Sequence, residues 1–178
     1  TSDLWIGRVL PDGVLAWSKR TPLGWNTSYV GGLHRVSDAQ LIIMGETQNI
    51  QSQVGQPTPS VRPFVIVLDN VGEVSARYNY GAEGINDSLA EFLMPLDGGG
   101  WLLGGRRSDW QSGGSLRGFV LRARSDGSVM WEREFLSFEF NAFHATPYRP
   151  GSYLLSGIRD GSPGWIIIDE NGDLCGSP

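Results

Sequence analysis

The sequence predicts an all-β fold made of four-stranded antiparallel units. Three observations carry that expectation. Glycine and proline are frequent, at 25 and 10 of 178 residues, which is too much punctuation for a helix bundle. Short β-branched, leucine-rich and aromatic runs recur between those breaks. No stretch sustains a helical period with caps at its ends. A hydrophobic fraction of 40% against 19% charged marks a folded chain, and the length fits one domain with a sizeable core.

The runs fall into two kinds of hairpin. The first kind opens with Leu4–Leu10, turns at Asp12-Gly13 and returns as Val14–Trp17. It recurs as Phe64–Leu68 with Asp69–Gly72 and Glu73–Ala76, then as Phe119–Ala123 with Asp126-Gly127 and Ser128–Trp131. A fourth copy is Trp165–Ile168 with Asp169–Gly172 and Asp173–Cys175. Asp-Gly and Asn-Gly suit these turns because a tight hairpin loop needs positive φ. The second kind lies between these copies. Its later strands are Leu41–Gly45, Trp101–Gly105 and Tyr153–Gly157, preceded by turns at Ser37–Gln40, Leu96–Gly100 and Tyr148–Gly151. Trp5, Phe64, Phe119 and Trp165 begin equivalent strands and are expected in the core. Trp17 and Trp131 are also equivalent and are expected to pack between units, whereas Ala76 stands where the second copy should carry its Trp.

Four strands in roughly 50 residues make one β-propeller blade. On that frame the second hairpin supplies the inner strands of a blade and the first supplies the outer ones. The chain then reads as a single propeller segment over 1–178. It has an orphan outer hairpin at 1–20 and blades at about 31–80, 89–135 and 142–176, about three and a half in all. Closed propellers have about four to eight blades, so open edges are expected unless something covers them. Further chain, or another copy in a homo-oligomer, is the expected source; a small irregular ring of about four blades is the alternative. The sequence opens on Thr1, as expected of a processed or excerpted chain.

A resemblance rests on particular residues. Asp97-Gly98-Gly99-Gly100 before Trp101-Leu102-Leu103-Gly104-Gly105, then Gly118–Leu121 and Asp126–Glu132, resemble the blade repeat of exported bacterial β-propellers. The ending Asp169–Cys175 is similar to a last blade hairpin of that group. The resemblance covers nearly the whole chain and implies a propeller fold in a secreted or cell-envelope protein. It implies no particular activity, because propellers host many.

Several functions are disfavoured. A net charge of −5 and a pI near 5.0 set the overall field against a phosphate backbone, so no nucleic-acid partner is expected. No apolar run of about 20 residues exists to span a bilayer as a helix. Cys175, the single cysteine, excludes an internal disulfide and a thiolate zinc cage. No nucleophile elbow, phosphate loop or His-Glu-x-x-His pattern occurs, and no cofactor is called for.

Candidate ligand-binding residues sit mainly on the longer connections, at about 22–30, 47–62, 78–88, 106–117, 136–142 and 159–163. These connections should share one end of the blades, opposite the tight turns, and loops over a rigid scaffold commonly carry function. Trp25 and Trp110 can stack on a sugar or anchor a protein, or fold back on the blade. Arg106, Arg107 and Asp109 can hold a polar ligand, or form a solvated cluster. His34 and His144 occupy similar places on inner strands, with Glu91 between, and are candidates to converge on the channel. No metal site is expected. The Asp169, Asn171, Asp173 spacing suits calcium but lacks the later Glu, so a turn explains it better. Asn26-Thr27-Ser28 and Asn86-Asp87-Ser88 match glycosylation sequons at corresponding places.

The function expected is a non-enzymatic binding module that presents its long-connection face to a protein or glycan. Two alternatives stand beside it. One is a carbohydrate-active or hydrolytic propeller with acids at the channel mouth. The other is an architectural subunit assembled through open edges.

Overall fold

The computed structural model describes residues 3–23, 26–48, 61–81, 87–108, 117–135 and 140–175. The described residues form antiparallel strands and contain no helix. A first hairpin joins β1 (Asp3–Val9) to β2 (Leu15–Pro22). A four-stranded sheet follows with β3 (Asn26–Ser37), β4 (Gln40–Gln48), β5 (Val61–Asp69) and β6 (Val74–Asn79) in spatial order. The next has β7 (Asp87–Pro95), β8 (Trp101–Ser108), β9 (Arg117–Ala123) and β10 (Val129–Phe135) in the same order. The last has β11 (Phe140–Arg149), β12 (Ser152–Arg159) and β13 (Ser162–Asp169), extended by a single bridge between Ile168 and Leu174.

The turns form for the reason their residues suggest. Gly13, Gly72, Gly127 and Gly172 take φ of 80–84°, which a side chain resists. Asp69 Oδ1 accepts hydrogen bonds from the N–H groups of Val71 at 3.0 Å and Glu73 at 2.8 Å. Asp169 Oδ1 does the same for Asn171 at 2.8 Å and Asp173 at 2.9 Å. These N–H groups hold the Asp169 carboxyl below the usual carboxylate range. The Asp169, Asn171, Asp173 spacing is thus a hairpin turn. Antiparallel pairing puts the tight turns at one end of each sheet and the other connections at the opposite end. One expected long connection is short: Asp160 and Gly161, with φ of 49° and 79°, close β12 onto β13 directly.

Sheets pack face to face in chain order. Leu4 and Ile6 of the first hairpin meet Ile43, Phe64 and Ile66. Val65 and Val67, on the other side of β5, meet Leu93, Trp101, Phe119 and Leu121 of the third unit. Leu102 and Val120 then meet Ala145, Leu155 and Ile166 of the last sheet. Phe64–Leu68 is a continuous apolar run because both faces of β5 are covered.

A second contact repeats at the turns. A Cβ on Gly72 would come within 2.7 Å of the Trp17 ring, and one on Gly172 within 2.7 Å of the Trp131 ring. Gly127 has the Tyr78 ring in the same place. Each outermost strand thus lays an aromatic ring on the turn glycine of the next sheet. Tyr78, two residues beyond Ala76 in β6, fills the role that the sequence left vacant at Ala76. Trp131 Nε1 also donates to the Glu170 carbonyl at 2.8 Å, and the Tyr80 hydroxyl to the Gly127 carbonyl at 3.2 Å.

Two expected core residues are not core. Phe64 and Phe119 are fully buried, but Trp5 is 68% and Trp165 57% exposed. Counting back from the turn glycines, Trp5 shares the register of Phe64 but faces away from the rest of the molecule. Trp165 shares the register of Val65, and Gly164 takes the place of Phe64. Trp165 and Ile167 therefore look outward from the last sheet, while Ile166 and Ile168 look in.

Candidate functional site

Polar side chains gather at the long-connection end of the two central sheets. Arg107, near the end of β8, is largely buried. Its Nε donates to Ser88 Oγ at 2.9 Å, and its Nη1 lies 2.6 Å from both Glu134 Oε1 and Glu132 Oε1. The two acids alternate along β10, so they share a face and reach one guanidinium. The guanidinium also lies 4.9 Å from the centre of the Phe119 ring. Arg117 adds a longer contact to Glu134, at 3.9 Å. Arg106 Nε pairs with Glu91 Oε1 at 3.0 Å.

Glu46 lies beside this network at the end of β4. It is buried, and that burial pushes its carboxyl up to about 7. The Ala90 N–H, donating to it, opposes the rise; Glu91 adds to it and Arg106 opposes it. A carboxyl that titrates near neutral pH therefore sits within electrostatic reach of the Arg106–Glu91 ion pair. The arrangement can hold a proton, exchange it, or receive a polar group that replaces one of the ion-pair partners.

The first strand of each of the three larger sheets carries a β-bulge at the same level. Gly31, Glu91 and Phe143 are the extra residues of β3, β7 and β11, each set against the same point of its partner strand. This register corrects one expectation. His144 aligns with Gly32 and His34 with Thr146, so the two histidines are not at similar places. The His34 ring nevertheless leans back over Gly32, where an added Cβ would meet Nε2 at 3.1 Å. Burial lowers the His34 pKa, and the nearby His144 lowers it further. Among the described residues, no three His, Cys, Asp or Glu side chains are grouped to hold a metal ion.

The structure thus gives Arg106 and Arg107 separate acidic partners, Glu91 for one and Glu132 with Glu134 for the other, and sets His34 and His144 within electrostatic reach of each other. Trp25, Asp109 and Trp110 lie outside the described residues. Sequence reasoning missed Glu46, Ser88, Glu132 and Glu134. Two acids at period two opposite a basic pair were the available signal for Glu132 and Glu134. For Glu46 it was an acid continuing the buried strand Leu41–Gly45.

A different surface lies on the outward face of the last sheet. Phe143, Tyr148, Leu154, Trp165 and Ile167 line an open, largely apolar groove of about 670 Å³. No helix of the described residues is long and apolar enough to cross a membrane. Comparison with protein-family models and with curated proteins finds no match to this chain.

Proposed function

We propose that this protein is a non-enzymatic binding module of propeller type, related to exported bacterial propellers and acting outside the cytoplasm or in the cell envelope. Its sheets would be blades, with the first strands β3, β7 and β11 nearest the axis. The long-connection end would meet a protein or glycan. The observation that supports this reading most directly is the Arg107 cluster. Ser88, Glu132 and Glu134 hold the guanidinium in a preformed polar surface at the end where connections are longest. Partners of this kind favour rigid, pre-ordered polar groups flanked by aromatics. A glycan array and a panel of immobilised envelope proteins test it. Binding that weakens in Arg106→Ala, Trp25→Ala or Trp110→Ala supports the module; no binding on either surface refutes it.

A second reading, a hydrolytic or carbohydrate-active enzyme, is favoured by Glu46, whose carboxyl keeps its proton up to about pH 7 beside Glu91. Hydrolysis of aryl glycosides that falls above pH 7, and is abolished by Glu46→Gln, would replace the first reading with this one. The architectural reading needs a surface that recruits further strands.

A further inference from the structure

The edge of the first hairpin shows such a surface, independently of whether the charged cluster binds anything. Trp17 lies over Gly72 as Trp131 lies over Gly172. β2 is therefore equivalent to β10, a fourth strand, and β1 is equivalent to β5 and β9, a third strand. Every other third strand here is paired on its inner edge, β5 by β4, β9 by β8 and β13 by β12. Among the described residues, β1 is paired by β2 alone.

The neighbouring sheet records what is missing. Val30 is 43% exposed, yet its counterparts Ala90 and Ala142 are at 1% and 0%. Leu33 is 56% exposed, against 3% for Leu93 and 4% for Ala145. Those counterparts are buried because a preceding inner hairpin lies against them. Beside β3 there is instead a groove of about 350 Å³, bounded by Gly7 and Val9 on one side and Leu33 and Leu41 on the other.

We infer that the free edge of β1, together with the exposed face of β3, is a docking site for a partner β-hairpin of the inner kind. The hairpin adds its second strand antiparallel to β1 and lays its first strand towards β3, continuing the ladder and the sheet packing already present in the other units. The register specifies the partner's chemistry. Gly45 pairs with Phe64 and Gly105 with Phe119, so a glycine pairs with Trp5. Leu41 pairs with Leu68 and Tyr153 with Ile168, so a large apolar residue pairs with Val9, four positions earlier. The side chain between them that faces β3, three positions before the glycine, is aliphatic, as Ile42 and Leu102 are where they meet the next sheet in the complete units.

Hydrogen exchange of the 178-residue protein tests the site, with a synthetic peptide of residues 87–108 as the probe. An isolated hairpin is only marginally stable, so the peptide is used at about millimolar concentration. Exchange in 3–9 and 29–35 is expected to slow about tenfold or more, with 64–68 unaltered. Leu33→Asp and Val9→Asp change exposed residues and leave the fold intact; each is expected to abolish the slowing. Unaltered exchange in 3–9 with peptide present overturns the proposal. So does slowing confined to the face bearing Trp165. A free protein that already protects 3–9 and scatters light as a dimer also overturns it, because a second copy would then hold the edge.

Discussion

Glu46 has a consequence that reaches beyond its neighbours. Its carboxyl holds a proton up to about pH 7 in the folded protein, whereas an unfolded chain releases it near 4.5. The folded state therefore binds the extra proton between those values, and its stability declines as pH rises through that window. The contribution is fully present below pH 4.5 and gone above about 7. The span corresponds to about 3 kcal/mol. Glu46→Gln keeps the shape without the titration. Relative to the parent, the variant should gain roughly that amount between about pH 4 and pH 8, as read by urea unfolding at each pH. A pH-independent difference would place the carboxyl in a wetter site. In sequence the only hint was its place at the end of the run Leu41–Gly45, for Glu46 is one acid among 19 and its desolvation comes from burial in the folded chain. Arg106 and Arg107 were visible as a pair, but their acidic partners come from strands up to 27 residues away.

At the scale of the element, the hairpin turn and its aromatic ring form one device, and glycine substitutions separate its parts. Gly13 and Gly127 both have φ above 80° or at it, but nothing lies within 4 Å of a Cβ on Gly13, whereas the Tyr78 ring occupies that space at Gly127. Gly13→Ala should cost about 1 kcal/mol, the conformational term alone. Gly127→Ala adds overpacking of about 1–3 kcal/mol, and thermal unfolding of the two variants should show the gap. A Tyr78→Ala background should close most of it. The turns were legible in sequence because Asp-Gly and Asn-Gly have few other uses between apolar runs. The ring was legible in two hairpins and missed in the third, where period two allows position 78 to replace 76 on the same face. The error at Trp165 has the same origin: a one-residue difference in alignment moves a strand residue to the opposite face. Trp165→Lys should accordingly change stability by no more than about 0.5 kcal/mol. Phe119→Ala should cost about 3–5 kcal/mol by calorimetry or urea unfolding.

Over the whole molecule, each unit buries its apolar face mainly against the unit before and the unit after it in the chain. The sheet of β7–β10 is covered on both sides, the sheet of β3–β6 on both sides at β5 but on one side at β3, and the first hairpin and last sheet on one. Native-state exchange should follow that order. The slowest amides should lie in 64–68, 102–103 and 119–121, and the fastest in 3–9 and 162–165. Equal protection throughout would mean that the outer faces are covered in solution. The antiparallel, helix-free architecture was readable from composition and repeat alone. What covers the two outward faces was not, since a repeat specifies an interface without specifying who completes it. Packing in chain order also has a mechanical meaning. Tension applied between the first strand and the last would load the sheets in series, one interface after another. Such a molecule yields in steps, each releasing about one unit's length of chain, and its resistance is that of its weakest joint.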